Sequence, residues 1–115
     1  HVKNLTTLFL SQNRLSGTIP SEFGTLTNLQ FLELRSNQFS GSLPTELSLL
    51  PDLASLILFG NNFSGDFPTF ANLTECNLYR SSEGDGNCFG NCHNPVCDCN
   101  LTVRHCPSTT TSSST

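Results

Sequence analysis

The sequence predicts a repeat solenoid of the α/β class, built from successive coils of 24 residues. The first observation is a motif, Leu-x-x-Leu-x-Leu-x-x-Asn, that begins at Leu5, again at Leu29 and again at Leu53. The second is that the apolar positions stay in register, as in coils that bury one face against their neighbours. The third is that all six cysteines follow these copies. The predicted divisions are repeats at 1–73, a cysteine-rich C-terminal cap at 74–106 and a Ser/Thr-rich tail at 107–115.

The first half of each copy predicts a short β-strand, because apolar residues such as Leu8 and Leu10 alternate with one residue between them. Each coil is entered from the same side, so the strands are expected to be parallel and about 4.8 Å apart. The asparagine that follows each strand has a side-chain amide that both donates and accepts hydrogen bonds. We therefore expect a stacked column that satisfies buried backbone groups of the turns, formed by Asn13, Asn37 and Asn61.

The second half of each copy crosses the outer side of the coil. An apolar residue two positions after the asparagine is predicted to point inward, and Ser-Gly follows it. Proline then disfavours a helix at the residue before it, so extended or turn-like backbone is expected there. One short helical turn is predicted after the proline in the first two copies, at 21–24 and 45–47.

The complete motif, Leu-x-x-Leu-x-Leu-x-x-Asn-x-Leu-Ser-Gly-x-Ile-Pro, resembles the plant-type leucine-rich repeat over about residues 2–75. The resemblance implies a right-handed solenoid with a concave parallel β-sheet, and short extra strands at the Ser-Gly-x-Ile-Pro segment. It also implies non-catalytic recognition of a protein, peptide or glycan. Relatives of this type include extracellular portions of receptor kinases, secreted inhibitors of cell-wall-degrading enzymes and surface antigens of some protists.

The end of the repeats is less regular. The outer half of the third copy, 67–73, is one residue short, and a fourth coil that starts at Cys76 reaches no Leu-Ser-Gly. A loop is predicted at 81–87 instead. A terminal coil exposes its apolar strip unless it is covered, so we expect a cap closed by three disulfides whose pairing stays open. The cysteines are Cys76, Cys88, Cys92, Cys97, Cys99 and Cys106.

The front of the chain has no comparable cap in its sequence. Upstream residues or another molecule are expected to cover the first coil, and three full repeats alone predict marginal stability. Because the chain begins at His1 without a signal peptide, we interpret it as a mature product or a piece of something longer.

Composition narrows the location and the partners. The net charge is −4 and the five basic residues are dispersed, which excludes a typical nucleic-acid surface. No apolar run approaches the ~18 residues of a membrane span. An even set of clustered cysteines indicates an oxidising compartment, so an extracellular, secreted or cell-surface protein is predicted.

Covalent glycans are the only non-protein groups expected, with no cofactor. N-glycosylation is predicted at four Asn-x-Ser/Thr sequons, Asn4, Asn62, Asn72 and Asn100. O-glycosylation is predicted in the tail, with an unmodified linker as the alternative. Its residues are Ser108, Thr109, Thr110, Thr111, Ser112, Ser113, Ser114 and Thr115.

Metal binding and catalysis are the weaker interpretations of the polar residues. The cysteines with His93 and His105 are zinc-ligand types, but paired Cys-x2-Cys knuckles are absent from the sequence, so disulfides are favoured. Glu83-x-Asp85-x-Asn87 echoes a calcium loop without its glycine and its final glutamate. No nucleophile has an evident base and orienting partner, so no enzyme is predicted.

Recognition is the remaining function. The 24-residue shift places large apolar residues and one pair of opposite charges outward on the concave sheet, and contiguous exposed apolar surface often marks a binding site. The alternative is that these residues only pack as cross-strand neighbours. The predicted ligand-binding residues are Phe9, Phe31, Glu33, Arg35, Ile57 and Phe59.

The predicted function is therefore an extracellular glycoprotein module that binds a protein or glycan through its concave face. A second prediction is a structural subunit of an extracellular fibre, wall or surface coat. There, copies assemble head to tail, and the cap or tail of one covers the first coil of the next. A third, an inhibitor of secreted enzymes, rests on the family resemblance alone.

Overall fold

The computed structural model describes residues 4–79, 86–92 and 94–97. Within these residues the larger sheet is parallel, in the order β1 (Thr7–Phe9), β3 (Phe31–Glu33), β5 (Ser55–Ile57) and β7 (Glu75–Asn77). The smaller sheet, also parallel, contains β2 (Ser16–Gly17), β4 (Gln38–Gly41) and β6 (Asn62–Phe63). Two short 3₁₀ helices follow the prolines of the first two coils, at Ser21–Thr25 and Thr45–Leu49. None of the helices in these ranges is long and apolar enough to cross a membrane.

The register of the larger sheet confirms the predicted stacking. Leu8 lies opposite Leu32, and Leu32 lies opposite Leu56, so the first two coils each advance by 24 residues. The strands β2, β4 and β6 begin near each Ser-Gly segment, which confirms the extra strands that the resemblance implied.

The third coil is shorter than the sequence analysis predicted. Leu56 lies opposite Cys76, so this coil advances by 20 residues. The sequence analysis predicted a coil only one residue shorter than 24. The second coil places the helix Thr45–Leu49 on its outer side, whereas 66–73, all of it described, contains no helix. Without a helix, the chain crosses the outer side of this coil in fewer residues. Phe67 and Phe70 pack against each other there, with ring centroids 5.2 Å apart.

The core is a continuous strip of side chains from successive coils, and its leucines are almost completely shielded from solvent. Beside the leucines runs a column of aromatic rings. Phe39 stacks on Phe63 and Phe63 stacks on Phe89, with 6.0 Å between centroids in both pairs. This column confirms the predicted inward position of Phe39 and Phe63, whereas Leu15 in the first coil is exposed.

The asparagine column is confirmed as a structural device. The Asn37 side chain accepts a hydrogen bond from the Leu15 amide at 3.1 Å and donates to the Leu10 carbonyl at 2.8 Å, both in the preceding coil. Its amide also donates to the Leu34 carbonyl of its own coil at 3.1 Å. Asn61 repeats this pattern one coil later. Asn37 and Asn61 therefore each tie two coils together with one buried amide. Asn13 is exposed and donates only to the Leu10 and Ser11 carbonyls of its own coil among the described residues, so the prediction of a buried column is wrong for the first coil.

Asn87 is a fourth member of this column that the sequence analysis missed. Its side chain accepts from the Phe63 amide at 2.8 Å and donates to the carbonyls of Leu58 and Leu78 at 2.9 and 2.8 Å. It stands nine positions after Leu78, whereas the first three coils place the asparagine three positions after the matching leucine. Gly86 and Asn87 have no regular secondary structure, in agreement with the predicted loop, and 81–85 lie outside the described residues. What the sequence analysis missed is that the hydrogen bonds of Asn87 complete a fourth coil.

The C-terminal cap contains disulfides, as predicted. Cys76 in β7 is bonded to Cys97, with 4.5 Å between their Cα atoms. Cys88 and Cys92 are disulfide-bonded as well, so no cysteine in the described ranges is a free thiol. Zinc ligation by these four thiolates is thereby excluded. Cys99, Cys106, the histidines of the zinc alternative and the two acidic residues of the calcium alternative lie outside the described residues.

Candidate binding surface on the larger sheet

The alternation of side chains along each strand builds the candidate surface. Leu32 and Leu56 point into the core, so their strand neighbours point to the opposite face of the sheet. We call this face the concave face. Its side chains form two rows that cross all four strands of the larger sheet. One row is Thr7, Phe31, Ser55 and Glu75, and the other is Phe9, Glu33, Ile57 and Asn77.

The apolar part of the concave face lies on the first two strands of the sheet. Phe9 is 61% exposed and Phe31 is 41% exposed. Exposed apolar side chains of this size are unfavourable in water, and a partner that covers them would gain free energy. Phe9 and Phe31 are therefore the predicted residues that the structure leaves most accessible.

Two other predicted residues are less accessible. Ile57 is only 8% exposed, so it offers a partner little surface. Phe59 is half-buried, and the Arg35 guanidinium carbon lies 5.8 Å from the centroid of its ring, within cation–π range. The alternative of cross-strand packing therefore describes Ile57 and Phe59 better than a contiguous exposed patch does.

The predicted pair of opposite charges is engaged within the molecule. The Arg35 Nε atom donates to the Glu33 carboxylate, and the two side chains form a salt bridge. Both are only partly exposed. The Arg35 charge is thus compensated by Glu33 before any partner arrives.

The end of the concave face at β7 is polar, and the sequence analysis did not identify its charged residue, Glu75. Glu75 on β7 is exposed, and its Oε1 atom accepts a hydrogen bond from the Ser55 hydroxyl at 3.1 Å. The 24-residue shift stops before β7, so it could not place Glu75 in the row of Phe31. Aligning Leu73-x-x-Cys76-x-Leu78 with Leu53-x-x-Leu56-x-Leu58 would have found it.

The first described coil has a neighbouring coil on one side only among the described residues. Among the described residues β1 pairs only with β3, so its other edge carries unpaired backbone groups. Leu5, Leu8 and Leu10 are half-buried, and Leu15 is 39% exposed. We call these four leucines the open end.

A second concavity lies behind the shortened third coil. Its volume is about 290 Å³, and its lining comes from 67–71 and 94–96, together with Leu73 and Asn91. Phe67 and Phe70 form its apolar floor together with Val96 at the rim.

The sequons in the described residues are accessible. Asn4, Asn62 and Asn72 all have exposed side chains, which leaves room for N-glycans, and their glycosylation stays a prediction. The Asn72 amide donates to the Pro51 carbonyl at 3.2 Å. Asn100 and the tail residues 108–115 lie outside the described residues.

Comparisons with known proteins agree with this geometry. A family model described as "Leucine rich repeat" matches residues 2–63, more than half of the 115-residue chain. A search of curated proteins gives no match. Among solved structures 18 chains match.

Two of these structures illustrate the likeness. The crystal structure of PEPR1-AtPEP1 matches with 53% identity and a TM-score of 0.57, over 57% of this chain and 9% of that chain. The crystal structure of a TDR receptor matches with 38% identity and a TM-score of 0.54, over 65% of this chain and 15% of that chain. The chain therefore spans only a small part of either protein.

Proposed function

Because this chain belongs to the leucine-rich-repeat family, in its 24-residue plant type, we propose that it is an extracellular recognition module. In this proposal the concave face binds a protein partner, and the module catalyses no reaction. The structural neighbours support it. One is described as a receptor, and the description of the other names two molecules together, PEPR1 and AtPEP1. A glycan is the other partner class that this repeat type implies.

The observation that carries the proposal is the exposure of Phe9 and Phe31 on adjacent strands of one sheet. Aromatic residues are enriched where protein interfaces bind most strongly, because they bury much apolar area with few rotatable bonds. Both residues have their backbone fixed in strands, so mainly side-chain freedom is lost when the rings are covered.

The test compares two exposed apolar patches of the same chain. Phe9→Ser and Phe31→Ser remove rings from the concave face, and Leu49→Ser removes a 76% exposed side chain from a 3₁₀ helix outside the sheet. Proteins retained from an extracellular extract by the wild-type chain, but not by Phe9→Ser/Phe31→Ser, are identified and purified. Each single phenylalanine variant is expected to weaken binding of such a partner by about 10- to 100-fold.

Surface plasmon resonance measures the dissociation constants, and circular dichroism checks that each variant is folded. Leu49→Ser should bind like the wild type. Equal affinity for all folded variants would show that the concave face is not the binding surface. If the retained material is a carbohydrate, the partner is a glycan.

Extracellular location and glycosylation are part of the proposal. The disulfides at Cys76, Cys88, Cys92 and Cys97 support an oxidising compartment. Intact mass of the native protein, before and after enzymatic removal of N-glycans, would count the occupied sequons. A mass equal to that of the bare chain would remove the glycoprotein part of the proposal.

A structural subunit is the second candidate, and the open end favours it. Half-buried leucines lie beside a strand edge that has no partner among the described residues, and the cap of another copy could cover this surface. Such a head-to-tail contact does not close on itself and would produce filaments. Sedimentation velocity over a wide concentration range would then show growing species, whereas one constant monomer would remove this candidate. Inhibition of secreted enzymes has only the family analogy in its favour.

A further inference from the structure

The disulfides of the C-terminal cap include one bond between buried cysteines and further bonds at two half-buried cysteines. We propose that each half-buried cysteine is bonded to a cysteine that follows the described residues. We call these two bonds the clasp, and we propose that a dithiol opens the clasp before the buried bond. The described cysteines of the clasp are Cys88 and Cys92, and their partners are Cys99 and Cys106.

The pairing follows by elimination. The disulfide that joins two cysteines within the described ranges is Cys76–Cys97. Cys88 and Cys92 are disulfide-bonded as well, and therefore not to each other. The sequence has six cysteines, which leaves two as their partners. These two are Cys99 and Cys106.

The described half of the clasp is fixed on the solenoid. The Cys88 amide donates to the Phe63 carbonyl at 2.9 Å. Gly90, which lies between the two cysteines, donates to the Gly65 carbonyl at 2.9 Å. Cys92 packs against the hydrophobic core. Bonds to Cys88 and Cys92 therefore tether the segment that contains their partners to the last described coil.

The clasp has a consequence for the predicted glycans. The Ser/Thr-rich segment 107–115 begins directly after Cys106, and the sequon at Asn100 lies between Cys99 and Cys106. With Cys106 bonded to the fourth coil, both groups of predicted glycans are attached at the cap end of the solenoid. Opening the clasp would release 107–115 while the described coils keep their own disulfide.

Burial separates the clasp from the inner disulfide in reactivity. Cys76 is 3% exposed and Cys97 is 7% exposed, whereas Cys88 and Cys92 are half-buried. Thiol–disulfide exchange requires a thiolate to reach a sulfur atom, so the more accessible bonds open first. One thiolate of a dithiol attacks a clasp sulfur, forms a mixed disulfide and expels a cysteine thiolate. The second thiol then closes the reductant to its own disulfide, so it supplies both electrons and the two cysteines end as thiols.

Peptide mapping of the native protein tests the pairing. Free thiols are alkylated without reduction, N-glycans are removed enzymatically, and the protein is digested with the alkylating agent present. Chymotrypsin, endoproteinase Asp-N and trypsin together put the clasp cysteines on different fragments. The cleavages that do so are after Phe89, before Asp98 and after Arg104.

Mass spectrometry then identifies the linked fragments. The fragment with Cys88 is expected to be linked to Cys99 or Cys106, and the fragment with Cys92 to the other of these two. Both pairings agree with the proposal, and the map shows which one is present. A bond between Cys88 and Cys92, or between Cys99 and Cys106, would overturn it.

Two matched substitutions check the map without digestion of disulfide-linked fragments. Cys88→Ala leaves one free thiol, which is expected at Cys99 or Cys106. Cys92→Ala leaves one as well, and it is expected at the other position. Alkylation and mass spectrometry locate each thiol, and circular dichroism shows that the variant is folded. A free thiol at Cys92 in Cys88→Ala, or at Cys88 in Cys92→Ala, would contradict the proposed pairing.

Limited reduction of the folded protein tests the order of opening. Dithiothreitol is added in steps without denaturant, and the new thiols are alkylated and counted by mass. The clasp should gain four alkyl groups while Cys76 and Cys97 remain bonded, and the circular dichroism spectrum should keep its strand signal. If Cys76–Cys97 opens first, or if all the bonds open together, the clasp is not a separate redox-sensitive unit.

Discussion

The two ends of the solenoid place matching positions of the motif in very different surroundings. At the open end Leu8 is half-buried and Asn13 is exposed. At the cap end the matching positions, Cys76 and Asn87, are both buried. Similar positions in the motif therefore do not guarantee similar burial, because each coil shields its apolar strip only through contact with its neighbours.

The cap end is closed by bonds that the open end lacks among the described residues. Tyr79 is buried, and its hydroxyl oxygen accepts a hydrogen bond from the Phe89 amide at 3.0 Å. The Cys76–Cys97 disulfide joins β7 to the segment that follows the last coil. A crosslink over 21 positions is worth about 3 kcal/mol through the entropy of the unfolded chain. These bonds help to shield the last described coil.

The largest expected difference between an inner coil and the open end concerns the leucine strip. Leu56→Ala removes a fully buried side chain and should lower the free energy of unfolding by about 4 kcal/mol. Leu8→Ala changes the matching residue, which is half-buried, and should cost about 1 kcal/mol because solvent already reaches the site. Equilibrium urea denaturation measures both.

Smaller substitutions at the same two positions serve as a control in case Leu56→Ala does not fold. Leu56→Val and Leu8→Val should keep the same order, with about 1 kcal/mol for the inner coil and less at the open end. Equal costs at the two positions would mean that the first coil is covered in solution, for example by another copy of the chain.

The asparagine column gives a smaller but more specific difference. Asn87→Ala would leave two buried carbonyls and one buried amide without their partner, at a cost of about 2–3 kcal/mol. Asn13 is exposed, and among the described residues it bonds only to the carbonyls of Leu10 and Ser11, which water can solvate in its place. Asn13→Ala should therefore cost less than about 0.5 kcal/mol.

Hydrogen exchange would locate the effect of these two changes. The Phe63 amide, which donates to Asn87, should exchange faster in Asn87→Ala and at the wild-type rate in Asn13→Ala. Unchanged protection of this amide in a folded Asn87→Ala variant would show that Asn87 does not hold the fourth coil.

The regular coils were predictable from the sequence because one physical requirement repeats in them. Each strand must place a leucine opposite the leucine of its neighbour, so Leu8, Leu32 and Leu56 fixed the register. The asparagine column followed from the same repeat. Asn87 escaped prediction because six extra residues separate it from its leucine, and the period no longer points to it.

The candidate surface was only partly predictable. A fixed shift can identify which side chains face outward, and it placed Phe9 and Phe31 correctly on the face away from the core. It cannot say how far neighbours shield them, so the burial of Ile57 and the pairing of Arg35 with Glu33 emerged only from the structure. Glu75 was missed because its coil advances by 20 residues.

The smallest expected effect comes from a substitution that makes the open end resemble the inner coils. Leu15 occupies the position that phenylalanine takes in the next three coils, where stacked rings lie 6.0 Å apart. Leu15→Phe should extend that column over Phe39 and raise the free energy of unfolding by about 0.5 kcal/mol, the lower range for an aromatic pair. The reverse change, Phe39→Leu, removes a ring inside the column and should cost about 1 kcal/mol. Urea denaturation of both variants measures the pair. A loss of stability in Leu15→Phe would mean that no ring fits over Phe39, so that the first coil differs from the others in backbone geometry and not only in exposure.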